Sequence, residues 1–206
     1  MFSRRSCRSF ASQEVSQELL QDLITFGISA PSGTNSQQWT FTLLKGRQEV
    51  VALAEEVLRF YQKLNRLSSN SLLRGTLKLF GKDELANYFH EYFDSVEDAI
   101  QRWNNKQEDL LFHGAPAVIV VGSKLKASCP QDDALLATQN MLLAAHSLGL
   151  GSCLIGFVVE AAKRDPSIAK FLKIPTDERI YSVIALGYSK ENYLEVTRRH
   201  EPLIRL

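Results

Sequence analysis

Three stretches of this sequence carry residue types that could do chemistry. The first is Ser3-Arg4-Arg5-Ser6-Cys7-Arg8-Ser9-Phe10. Side chains alternate along an extended chain, so Arg4, Ser6 and Arg8 would point one way. Two guanidinium groups and a hydroxyl on one side make a cradle for a phosphate dianion; the alternative is a solvated basic N-terminus. The second stretch is Ala30-Pro31-Ser32-Gly33-Thr34-Asn35-Ser36-Gln37-Gln38, uncharged and rich in turn formers. It offers amide and hydroxyl side chains plus free backbone N–H groups, which suits a neutral heterocycle with alternating donors and acceptors. It could equally be a plain helix-to-strand connection. The third is Gly149-Leu150-Gly151-Ser152-Cys153-Leu154-Ile155-Gly156. Glycine there would let backbone approach a planar ligand closely, or would only cap a helix and make a turn.

Other chemistries find little support. A dinucleotide fingerprint needs G-x-G-x-x-G between a strand and a helix, and the third stretch follows a helix with its last glycine too far along. Cys7, Cys129 and Cys153 include no C-x-x-C pair, so neither an iron–sulfur cluster nor a structural zinc site is expected. His90, His113, His146 and His200 show no metal spacing and read as core or surface residues; no metal site is expected. No G-x-S-x-G elbow is present, which weakens a hydrolase reading. Cys153 lies in an apolar setting and reads as an inert packed thiol.

The elements that must position these stretches follow from periodicity. Ser16 can cap a helix with an apolar stripe at Leu19, Leu20, Leu23, Ile24 and Phe26, ending near Ser29. Residues 39–44 alternate as a strand, and 47–67 are helical. Residues 68–112 match a weaker pattern, with breaks at Ser68–Ser71 and Phe80-Gly81, and read as a helical insertion that could cover a pocket or a partner. Residues 117–121 form a continuous apolar run typical of a buried strand. Ser128 and Pro130 open a helix with Asp132 and Asp133 in its first turn, where acids favour the dipole. Residues 134–148 are apolar nearly all round, so this helix should be central, with Gly149 closing it. Residues 162–172 read as one helix and 180–186 as a second buried strand. Strands do not alternate regularly with helices, so the class is α+β rather than doubly wound.

Bulk properties set the limits. The chain has 206 residues, which with no internal repeat or low-complexity linker suggests a single domain over 1–206. A net charge of +1 argues against a nucleic-acid partner, so any bound anion must be held by a local cluster. No apolar run reaches the roughly 18 residues of a membrane span. The sparse, odd cysteine count suits a reducing cytoplasm. The arginine- and serine-rich start could be a targeting segment, but polar, acidic residues 13–22 follow instead of an apolar core, so the arginines belong to the fold.

Taken in order, these segments resemble the FMN-dependent nitroreductase family. Arg4-Arg5-Ser6-Cys7-Arg8-Ser9-Phe10 is similar to its opening R-R-S-x-R-x-F. Residues 30–39 are similar to A-P-S-x-x-N-x-Q-P-W, with Gln38 in place of proline. Residues 148–156 are similar to L-G-L-G-[ST]-x-x-x-G, and Ala115-Pro116 and Gln139-Asn140 also fit. The resemblance implies a nitroreductase-like fold, with a central mixed β-sheet packed by helices, and an intertwined homodimer with two FMN sites. By position, Arg4, Ser6 and Arg8 would hold the phosphate and ribityl chain, with Arg5 along the flavin. Pro31, Ser32, Gly33 and Asn35 would come from the partner subunit. Backbone at Leu154, Ile155 and Gly156 would face the ring near N5. Arg198 or Arg199 would complete the phosphate site.

The implied activity is two-electron transfer from NAD(P)H to a nitroaromatic, quinone or similar small organic acceptor by a ping-pong mechanism. No protein residue is assigned as catalytic; protons would come from water, and Arg8 would stabilise the charge of the reduced flavin. The same motifs would serve an FMN-storage protein without NAD(P)H turnover. The family usually carries a helix ahead of the R-R-S motif, and some relatives a ferredoxin domain. Only Met1, Phe2 and Ser3 precede it here, which implies a start that is shortened or has lost such a piece. The 68–112 insertion matches no family motif and is where acceptor choice would be set.

Overall fold

The 39–45 and 117–124 segments pair, and around them the rest of the chain is arranged. The computed structural model describes residues 3–196 and 200–205. After helix α1 (Gln17–Ile28), capped by the Ser16 hydroxyl on Leu19 N–H, comes strand β1 (Trp39–Lys45). Helix α2 (Arg47–Ser69) follows, then α3 (Ser71–Leu79), α4 (Glu84–Glu91) and α5 (Phe93–Lys106). Strand β2 (Ala117–Lys124), helix α6 (Pro130–Ser147) and strand β3 (Gly151–Leu154) come next. The chain ends with α7 (Gly156–Arg164), α8 (Pro166–Phe171) and β4 (Glu178–Gly187).

The strand order is β1-β2-β4-β3 and every neighbouring pair is antiparallel. The sheet is thus antiparallel and not mixed as expected; the one parallel contact among the described residues is an isolated bridge between Ser6 and Ser152 at the β3 edge. Strand β2 is apolar from Ala117 to Val121 because both of its faces are covered there. Val118 and Val120 face one cluster, which includes Val50, Leu53 and Val57 of α2, Val158 and Ala161 of α7 and Ile168 of α8. Ala117, Ile119 and Val121 face the other, with Leu20 and Leu23 of α1 and Ala134, Met141 and Ala145 of α6. The fold is therefore α+β in three layers, with the sheet between two helical layers.

Two elements depart from the sequence expectation. The helix expected over 162–172 is two helices, because Pro166 has no N–H to continue α7. Asp165 becomes extended (φ −126°, ψ 108°) and its carboxylate caps α8 at Ser167 N–H. Helix α6 does pack centrally, yet its Leu135 and Leu136 stay exposed, as do Leu148 just after it and Phe26 and Ile28 of α1. The 68–112 insertion is α3 to α5 and the turn after them. Asn70 ends α2 and caps α3 through its side chain on Leu73 N–H. Helix α5 lies along α2 over a cavity of about 200 Å³ lined mainly by apolar groups, including Tyr61, Trp103 and Phe157. Among the described residues no helix is long and apolar enough to cross a membrane.

Candidate functional site

The N-terminal segment is held by its apolar residues, which decides where its polar ones go. Cys7 and Phe10 are buried, Cys7 N–H donates to Ser152 C=O at 2.9 Å, and Ala11 N–H donates to Tyr188 C=O at 2.8 Å. Both anchors sit against glycines. A Cβ at Gly151 would lie 2.8 Å from Cys7 Sγ, and one at Gly187 would lie 3.0 Å from Phe10 and 2.6 Å from Pro116. Gly151 of the third stretch and Gly187 at the end of β4 thus make room for the arginine-rich segment.

With Cys7 inward, Ser6 and Arg8 are exposed and Arg4 is half-buried. All three bear on Cys153. Burial pushes its thiol up, while Arg8, the Ser6 hydroxyl and Arg4 pull the other way. A buried thiol raised in this way is a packing group. Arg4 and Arg8 are therefore within electrostatic reach of Cys153, and Ser6 is bridged to Ser152 beside it at the edge of β3. Arg5 leaves on its own course, with its guanidinium 4.5 Å from the centre of the Tyr193 ring.

Just beyond this point the backbone is open. Leu154 is half exposed, Ile155 is buried with its N–H donated to Val183 C=O, and Gly156 begins α7. Nothing within 4 Å would meet a Cβ at Gly156, so no contact inside the chain demands glycine there. Ile155 N–H is already spent, which leaves the N–H groups at the start of α7 to face a ligand.

His113 joins this region, although its isolation in the sequence gave no reason to single it out. It is half-buried in the left-handed region (φ 57°), in a turn where Asp109 accepts N–H bonds from Leu111, Phe112 and Gly114. Asp109 is itself buried and paired with Arg47 at 2.7 Å. Burial lowers the His113 pKa, Asp109 opposes this, and Arg8 lowers it further. His113 therefore lies within electrostatic reach of Arg8.

The 30–38 loop is built separately. Thr34, Asn35 and Gln37 all have positive φ (51°, 55° and 47°), a local strain that needs fixing from outside. Gly33 N–H donates to Asp133 Oδ1 at 2.8 Å, and Ser128 Oγ donates to Gly33 C=O at 2.6 Å. A Cβ at Gly33 would meet Ser128 Oγ at 2.7 Å and Cys129 Sγ at 2.9 Å. Ser32 Oγ accepts Gln37 N–H at 3.1 Å, and Asn35 Oδ1 accepts from Gln37 Nε2 at 2.7 Å, which turns the Asn35 amide N–H₂ outward. Pro31, Thr34 and Asn35 are exposed, and Ser32 and Gly33 partly so.

The two halves lie at opposite ends of the sheet. The loop meets β2 at its far end, where Lys124 N–H and Ser123 Oγ donate to Gln38 C=O. The arginine segment meets the near end, since Gly187 follows Leu186, the partner of Ala117. From Ala117 to Ser123 at about 3.3 Å per residue is roughly 20 Å. Helix α6 gives the same answer, because Asp133 binds the loop and His146 binds Ser3, and the rise between them is also roughly 20 Å. The structure thus joins the first and third stretches and keeps the second apart. Arg198 and Arg199 lie outside the described residues. Among the described residues no group of acidic, histidine or cysteine side chains could hold a metal ion.

Comparison with known proteins fits this geometry. The model of the Nitroreductase family matches residues 1–188. A 4-nitrobenzoate reductase from a Nocardioides species is 29% identical, over 90% of this chain and 77% of its own. An iodotyrosine deiodinase from Haliscomenobacter hydrossis is 26% identical, over 93% of this chain and 78% of its own. Among solved structures, an FMN-bound nitroreductase from Bacteroides fragilis superposes with a TM-score of 0.69 at 22% identity, covering 98% of this chain and 94% of that one. One from Desulfitobacterium hafniense, also with bound FMN, gives 0.66 at 25% identity, covering 97% and 90%. The chain belongs to the nitroreductase family.

Proposed function

We propose that this nitroreductase-family chain is an FMN-dependent oxidoreductase that passes two electrons from NAD(P)H to a nitroaromatic, quinone or similar small organic acceptor, at sites shared between two copies. The observation that carries the reading is the pairing of Ser6 with Ser152 at the β3 edge, which brings Arg4 and Arg8 within electrostatic reach of Cys153, next to the open backbone at Gly156. A single phosphate needs such a cradle, and the donor set fits FMN. When bound, FMN supplies the hydride chemistry. The chain's own part is to hold the phosphate with Arg4, Ser6 and Arg8, to keep positive charge beside the ring with Arg8, and to leave Leu154, Ile155 and Gly156 open to the ring. Arg5 contributes less, being drawn to Tyr193.

The second copy follows from distance. Pro31, Ser32, Gly33 and Asn35 lie roughly 20 Å from the arginine cradle of their own chain, so they complete the site of another. Phe26 and Ile28 of α1 and Leu135 and Leu136 of α6 are exposed apolar side chains that such a partner would cover. Protons come from water. Free, sparse cysteines fit a cytoplasmic setting.

The test is direct. The purified protein should be yellow, release FMN rather than FAD on denaturation, and bleach with NADH or NADPH in the absence of oxygen. Re-oxidation by a panel of nitroarenes, quinones and (given the deiodinase relative) halogenated phenols then identifies the acceptor class. A colourless protein that ignores added FMN contradicts the proposal, and an FMN-loaded protein inert to both nicotinamides leaves only flavin storage.

A further inference from the structure

Asp133 is nine-tenths buried and more, yet among the described residues its carboxylate meets no cation; it meets the 30–38 loop. Its Oδ1 accepts Gly33 N–H at 2.8 Å and its Oδ2 accepts the Ser36 hydroxyl at 3.1 Å. Its backbone C=O accepts Trp39 Nε1–H at 3.0 Å. One residue therefore ties the middle of the loop, its end and the first residue of β1 to the first turn of α6. Between these ties lie the residues with positive φ, Thr34, Asn35 and Gln37, which would relax to other conformations if released.

We propose that Asp133 is the positioning residue of the cofactor loop, holding Ser32, Gly33 and Asn35 in the one arrangement that can receive the flavin ring of the partner's site. The inference rests on the FMN reading above. Four observations carry it. The clamp falls on Gly33, whose C=O is held at the same time by Ser128, so the peptides on both sides of Gly33 are held. No other residue type at 133 offers two strong acceptors on a short stem at this depth. The charge costs little there, because the N-terminus of α6 favours an anion and both oxygens hold charge-assisted hydrogen bonds. Finally, Asp133 itself points at the loop and touches none of Arg4, Ser6 or Arg8, so its influence passes through the loop alone.

The experiment is FMN titration of flavin-stripped parent, Asp133→Ala, Asp133→Asn and Ser36→Ala proteins. Melting of the flavin-free forms and the visible spectrum of the bound flavin are recorded alongside. Asp133→Ala should bind FMN roughly ten-fold more weakly or worse, since a charge-assisted tie to the loop is lost. The bound-flavin spectrum should shift as the ring loses its fixed neighbours. Asp133→Asn keeps an acceptor for Gly33 N–H and should recover most of the affinity. Ser36→Ala should melt with the parent and still bind FMN several-fold more weakly, which keeps the test intact if Asp133→Ala fails to fold. Parental affinity and spectrum in Ser36→Ala and in any folded Asp133→Ala overturn the assignment of Asp133 alone. A parent that binds no FMN sinks the cofactor reading, and this inference with it.

Discussion

Arg8 is the residue on which most rests at the smallest scale. Replacing it with Ala removes a charge-assisted hydrogen bond worth about 1.5–3 kcal/mol, or roughly a ten- to hundred-fold loss of FMN affinity. It should also lower the flavin midpoint potential, because the reduced ring loses a nearby cation. Arg5→Ala should do less, since that guanidinium lies over Tyr193. Fluorescence titration and redox titration of the two variants check both statements; equal losses in the two would remove the distinction. His113 gives a pH-dependent prediction. Its pKa is lowered by burial, so the unfolded chain takes up that proton first as pH falls. Its effect on stability is nil above about pH 6.5 and unfavourable below, growing until pH passes the folded-state value. His113→Asn tolerates the left-handed backbone and should flatten the decline of the urea midpoint below about pH 6.5. An unchanged decline would mean that other groups cause it. The Arg4, Ser6 and Arg8 alignment was legible in the sequence because a period of two needs no tertiary knowledge. Asp133 and His113 were not. Asp133 looked like an ordinary first-turn acid and His113 like a lone histidine, and only the return of distant chain gives either its partners.

At the scale of elements, one glycine of the third stretch and one at the end of β4 turn out to serve the first. Gly151 and Gly187 are notches for Cys7 and Phe10, so the arginine segment is located by packing and not by its charges. Gly187→Ala should therefore overpack the junction against Pro116 and Phe10 and cost about 1–3 kcal/mol in urea unfolding. It should loosen FMN binding too, by freeing the segment that carries Arg8. Wild-type stability in this variant would show that the segment can move aside at no cost. Helix α1, strand β1 and the long helices α2 and α6 followed from apolar periodicity and caps. The single helix expected over 162–172 failed at Pro166, where a local rule outweighed the apolar rhythm. The insertion was recognised as helical, but nothing in its spacing indicated that α5 would lie over an apolar cavity against α2, because that contact depends on Tyr61, Trp103 and Phe157 from three separate elements.

For the whole molecule, the argument is one of distance. A sheet of four antiparallel strands holds the arginine cradle at one end and the amide-rich loop at the other, and an 18-residue helix, α6, keeps them apart. In the proposed dimer, two copies related by a two-fold axis would let each loop serve the opposite cradle and would cover exposed apolar side chains of α1 and α6. The obligate interface this implies buries more than about 2,000 Å². The sequence resemblance had suggested two shared sites; the roughly 20 Å separation supplies a physical reason for sharing.

The most direct measurement is subunit complementation. Two differently tagged chains are co-expressed, one carrying Arg8→Ala and the other Asn35→Ala, and the mixed dimer is isolated through both tags. If each site takes its cradle from one copy and its loop from the other, the mixed dimer has one site with both lesions and one with neither. It should then bind one FMN per dimer with parental affinity, while both single-variant homodimers bind weakly at both sites. Two equally weakened sites in the mixed dimer, or FMN bound tightly by a monomer in sedimentation, would contradict the account.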